Sequence, residues 1–122
     1  MKLHASGPST YNTITGYGDG YVLVNSQRHE SNLIVMAQQV MPWDAAGFDS
    51  LSRENFIALQ SLQVDILLLG TGARQRFPHP RLTAPLAEAG IGLEVMDLQA
   101  ACRTYNILVA EERKVAAALL FK

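Results

Sequence analysis

The chain has 122 residues, 48% of them apolar and 17% charged, and a net charge of −1. That is enough for a single domain spanning 1–122 with its own core, at the composition of a compact globule. The charge, without a basic block, excludes a nucleic-acid partner; no apolar run reaches the ~20 residues of a membrane span; and one cysteine, Cys102, excludes an internal disulfide framework.

The first third of the chain reads as strands and turns. Tyr11 to Gly16 is rich in Thr, Ile and Tyr, and Gly16-Tyr17-Gly18-Asp19-Gly20 carries the Asp-Gly pair favoured in hairpins. Tyr21 to Val24 is the next strand, Asn25-Ser26-Gln27 the next turn, and Leu33 to Met36 a third strand, which together predict a three-stranded meander. Pro42 and Trp43 break the pattern, and Ala45 to Ser50 is a connector. A helix is expected from about Ser52, capped by Ser50 or Ser52, with Glu54 in its first turn and Phe56, Leu59 and Leu62 on one apolar face.

From Val64 the texture changes. Val64 to Leu69 is apolar apart from Asp65, the pattern of a strand covered on both faces. Arg81 to Ala89 predicts a short helix closed by Gly90, with Pro85 near enough to its start to fall in the first turn. Ile91 to Met96 is a strand, and Asp97 caps a helix over Leu98 to Ala110 with Ala101, Tyr105 and Leu108 on one side. Val115 to Phe121 contains Ala116-Ala117-Ala118, helical by propensity. It is read as a strand because the sheet needs a last apolar element. The short crossover from Val64–Leu69 to Ile91–Met96 predicts a parallel, right-handed pair. The fold class is α/β: the order β-β-β-α-β-α-β-α-β implies an N-terminal β-meander feeding an α/β half.

The most informative stretch follows the Val64–Leu69 strand. Gly70-Thr71-Gly72-Ala73-Arg74-Gln75-Arg76 is a tight glycine loop at a strand's carboxyl end, where α/β sheets bind ligands and a turn can present backbone N–H groups. It is no P-loop, since no Gly-Lys-Ser/Thr follows. As a dinucleotide fingerprint it is poor, because Gln75 fills the third glycine position and the helix opens only near Pro80; Glu94 and Asp97 do stand where a ribose-binding acid could sit. Anion or partner contact and a purely structural turn are the competing readings. Arg74 and Arg76 suit carboxylate or phosphate. If the two strands are parallel, the helix carrying Arg103 and Tyr105 starts on the same rim, and Gly70, Thr71, Gly72, Arg74, Arg103 and Tyr105 are the candidate binding residues. Cys102 is read as packing rather than as an activated thiol. His4, His29 and His79 lack ligand spacing, so neither a metal nor a cofactor is expected.

In Gly16-Tyr17-Gly18-Asp19-Gly20, Leu68-Leu69-Gly70-Thr71-Gly72, Gly90-Ile91-Gly92-Leu93-Glu94-Val95-Met96-Asp97, the string Cys102-Arg103-Thr104-Tyr105-Asn106 and Val115 to Leu119, the chain resembles a family of small α/β domains of unknown biochemical function. That family includes a mitochondrial complex I assembly factor. The resemblance implies three layers: a central mixed sheet, helices on one side, and a helix with a small β layer on the other. It implies a strand for the last segment, and a role in protein assembly or interaction. It carries no catalytic residues. The leading expectation is therefore a non-enzymatic domain with a protein partner. The alternative is an enzyme or binding domain for a small anion at the Gly70–Arg76 rim. A lone thiol and the absence of an apolar stretch in Met1–Pro8 predict a cytoplasmic protein.

Overall fold

The computed structural model describes residues 11–121. The elements run β1 (Ile14–Gly18), β2 (Tyr21–Val24), β3 (Gln27–His29), β4 (Leu33–Met36), β5 (Val40–Pro42), α1 (Arg53–Ile57), β6 (Ile66–Thr71), α2 (Pro80–Glu88), β7 (Gly92–Met96), α3 (Leu98–Ala110) and β8 (Val115–Leu120). Two short 3-10 turns, Phe48–Ser50 and Gln60–Leu62, bracket α1. His4 and Met1–Pro8 lie outside the described residues.

The strands form two sheets: an antiparallel meander β1-β2-β3, and a mixed five-stranded sheet in the order β5-β4-β8-β6-β7. In the larger sheet β8 pairs antiparallel with β4 and parallel with β6, and β6 pairs parallel with β7. The expected parallel pair is therefore present, as is the terminal strand. Ala116, Ala117 and Ala118 are fully buried there. Small side chains let a layer approach each face of a central strand, and that packing overrides the helical propensity of alanine.

Apolar side chains alternate to two cores. Leu68, Ala117 and Leu119 pack with Ala101, Tyr105 and Val109 of α3 and with Ile14, Val22 and Val24 of the meander. Leu67, Leu69, Ala116 and Ala118 pack with Phe56 and Leu59, with Leu86 of α2, and with Trp43. Leu67, Leu68 and Leu69 are 0% exposed, each contributing about 1.5–3 kcal/mol by transfer from water. The layers are thus α1 and α2, the mixed sheet, and α3 with the meander.

Three expectations need correction. The third meander strand is Gln27–His29, not Leu33–Met36, which joins the large sheet. Leu33, Ile34 and Val35 are all buried, as a continuous apolar run requires of a strand covered on both faces. The helix after Ser52 is only five residues long, although its capping box, Ser52 with Asn55, forms. Pro85 sits inside α2 rather than in its first turn.

Candidate functional site

The carboxyl ends of β6, β7 and β8 share one edge. There the chain turns at Gly72, whose φ of +86° favours glycine. Gly70 is constrained differently: a Cβ on it would sit 3.0 Å from Ala101 Cβ and 3.0 Å from Leu119 Cδ2, so it allows α3 to lie close on the sheet. Leu98 N–H, at the start of α3, donates to Gly72 O at 2.8 Å, which ties helix to loop. Asp97 caps that helix by accepting from Ala100 N–H at 2.8 Å.

Thr71 is buried and organises the loop. Its hydroxyl donates to Arg74 O at 2.7 Å, lies 3.3 Å from Met96 O, and accepts from Arg76 N–H at 3.0 Å. Gln75 reaches sideways, donating from Nε2 to Val95 O at 2.8 Å. Arg76 turns to the 46–50 segment, with Nη2 2.6 Å from Asp49 Oδ1 and its guanidinium 4.1 Å above the Phe48 ring. Arg74 is exposed and makes no ion pair among the described residues. Phe77 follows at 70% exposure.

Two open clefts flank this loop. One, of about 670 Å³, lies between Phe48–Ser50 and Thr71–Arg74 with Leu120 and Phe121 in its wall. The other, of about 530 Å³, separates the β1–β2 turn from Gly72, Ala73 and the start of α3.

Arg103 and Tyr105, two residues apart on α3, differ in exposure. Arg103 is on the exposed side of α3, but it lines neither cleft. Tyr105 is 0% exposed; its hydroxyl donates to Asn12 O at 2.8 Å, and burial raises its pKa, with Tyr11 adding to the shift. Its expected place on an exposed rim is therefore corrected. Residues two apart on a helix point to nearly opposite sides. Asn106 bonds both backbone groups of Ile14, accepting from N–H and donating to C=O at 2.8 Å each, so it holds the meander on α3. Cys102 is buried and its thiol is pushed up to about 12, chiefly by burial, with Arg103 opposing the shift. This is the reverse of an activated thiol. His79 accepts from Arg81 N–H through Nδ1, at the start of α2. No three His, Cys, Asp or Glu side chains cluster among the described residues. Sequence reasoning missed Phe48 and Asp49, since nothing local marks them as partners of Arg76. It also passed over Gln75 and Phe77, although an aromatic residue between arginine and proline in a polar loop is a visible signal.

Fold and rim define a small three-layer α/β domain with a glycine loop and two clefts on its carboxyl edge. The chain belongs to the family described as "Protein of unknown function (DUF498/DUF598)", whose profile matches residues 14–120. It is 39% identical over 109 residues to an uncharacterized protein of Rhodobacter capsulatus, covering 88% of this chain and 82% of that protein. It is 35% identical over 88 residues to NADH dehydrogenase [ubiquinone] 1 alpha subcomplex assembly factor 3 of Danio rerio, covering 70% of this chain. That match spans about half of the zebrafish protein, 51%. A Francisella tularensis protein named "13 kDa major membrane protein" is 29% identical, covering 85% of this chain and 86% of that protein. A crystal structure of a Bordetella parapertussis protein superposes with a TM-score of 0.85 at 40% identity, covering 93% of this chain and 98% of that one. No described helix is long and apolar enough to cross a membrane.

Proposed function

We propose that the chain is one non-catalytic protein-interaction domain, acting in assembly of a protein complex in the cytoplasm, with the Gly70–Phe77 rim as its contact surface. The observation that carries this reading is Phe77, 70% exposed beside Arg74 and Arg76. Aromatic and arginine side chains are what protein interfaces concentrate, and a rigid loop presents them with little entropy to lose. A family member named as an assembly factor supports the class of role. Gly70, Thr71 and Gly72 shape the loop and Arg74 is its available cation, whereas Tyr105 acts from the core. Arg103 contributes from the outer side of α3.

A photo-cross-linking residue in place of Phe77 is expected to trap a discrete protein partner in cells, while the same residue in place of Glu111, exposed at the far end of α3, traps none. Identical products from both positions, or none from Phe77, would sink the reading. Cell fractionation in the same experiment tests location, with recovery in the membrane fraction contradicting a cytoplasmic site. Arg74 beside the 670 Å³ cleft supports a second reading, a small anion held at the rim. Saturable binding of inorganic phosphate that is lost in Arg74→Ala would favour it.

A further inference from the structure

Among the described residues β7 ends the five-stranded sheet, and only β6 pairs with it. Gly92 N–H donates to Asp65 O at 2.9 Å, which fixes the phase of the parallel ladder. Backbone groups alternate sides along a strand, so Gly92, Glu94 and Met96 direct theirs to β6 while Leu93 and Val95 direct theirs outward. One outward group is occupied: in an exposed position, the Gln75 amide donates to Val95 O at 2.8 Å. A side chain thus stands where the N–H of another strand would stand. The opposite edge is built otherwise. β5 is three residues long and ends in Pro42, a combination that discourages strand addition. β7 contains neither proline nor lysine.

We infer that β7 accepts an extended segment of a partner protein as a sixth strand, which displaces the Gln75 amide from Val95 O. The inference rests on the interaction reading above and adds to the rim a neighbouring surface, with the chemistry of the partner segment that it takes. Glu94 is exposed at the middle of β7 and makes no ion pair among the described residues. A residue directly opposite it in an added strand is favoured when it is Lys or Arg. Leu93 and Val95 point to the other face, half-buried against the core under α1 and α2, so they favour apolar neighbours on either side of that cation. A second copy of β7, paired antiparallel so that Leu93 meets Val95, would set two Glu94 carboxylates opposite each other. The partner strand is therefore a different sequence, reading apolar–basic–apolar.

The test selects a phage-displayed random peptide library on the full chain. Enriched peptides carry Lys or Arg between two apolar residues, and Glu94→Lys enriches an acid at that place instead. A synthesised enriched peptide slows hydrogen exchange at the Leu93 and Val95 amides, fast in the free chain, by about tenfold or more. Leu93→Pro removes an outward N–H while leaving the bonds to β6, and weakens the peptide about tenfold. Unchanged exchange in β6 and β8 confirms that this variant is folded. Gln75→Ala, which removes the competing amide, tightens binding about two- to fivefold and covers the case in which the proline variant unfolds. The inference is overturned if no such pattern is enriched, if the two amides are already protected in the free chain, or if the bound peptide leaves them unchanged. Cross-links from Phe77 persisting in that last case would keep the interaction reading and remove only the edge.

Discussion

The loop after β6 and the seam between α3 and the meander are both held by polar side chains bonded to distant backbone, yet they end in opposite states. At the seam, Tyr105 and Asn106 place their hydrogen-bonding groups on Asn12 and Ile14, and Tyr105 is closed from solvent. At the loop, Thr71 and Gln75 hold the backbone, Arg76 holds Asp49, and Arg74 and Phe77 remain at the surface. The difference separates a polar residue that builds the fold from one available to a partner. Residue type does not make that distinction, and burial does.

The strongest way to break the comparison is to cut the seam. Tyr105→Ala removes a fully buried ring and a hydrogen bond, and should cost about 3–5 kcal/mol in chemical denaturation. A loss under about 1 kcal/mol would show that the seam is not structural. Next is Gly72→Val. The φ of +86° opposes a β-branched residue, so a loss of roughly 1–3 kcal/mol is expected; an unchanged melting temperature would mean that the turn relaxes at no cost. Smaller still is Arg76→Ala, which releases a partly exposed ion pair and a ring contact. Calorimetry should find a loss of about 1 kcal/mol or less.

Cys102 sharpens the contrast through pH. Its thiol is raised from 9.0 to about 12 by burial, so the native state holds a proton that the unfolded chain releases above pH 9.0. The contribution of this group is complete below that pH and is lost as pH rises from there towards 12. At pH 8, alkylation of Cys102 should follow global unfolding; rapid labelling of the native chain would contradict its burial.

Much of this arrangement was legible. Asp97 as a cap and the apolar spacing after it define α3 with the bounds found, and the apolar run from Val64 marks the strand that leads to the glycine loop. Gln27–His29 was not legible, because a polar edge strand with two exposed residues has neither alternation nor an apolar run. Leu33–Met36 was legible as a strand but assigned to the wrong sheet, although its unbroken apolar run carried the same signal as Val64–Leu69. Tyr105 was also readable: its spacing from Ala101 already put it on the apolar face of α3, and only its polar hydroxyl argued for the rim. The partnership of Arg76 with Asp49 joins positions 27 residues apart and has no local trace. For the same reason the sequence identified the loop more readily than the clefts beside it.

The central claim is that the rim serves a partner and the seam serves the fold. It is tested most directly by measuring melting temperature and capture of the partner cross-linked at Phe77 on two variants in parallel, Arg74→Glu and Tyr105→Phe. Arg74→Glu should leave melting unchanged, as for an exposed residue, and abolish capture. Tyr105→Phe should lower melting by about 3–6 °C, from a loss of about 1 kcal/mol, and leave capture intact. The reverse pattern, with capture surviving Arg74→Glu and lost in a stable Tyr105→Phe, would contradict the account.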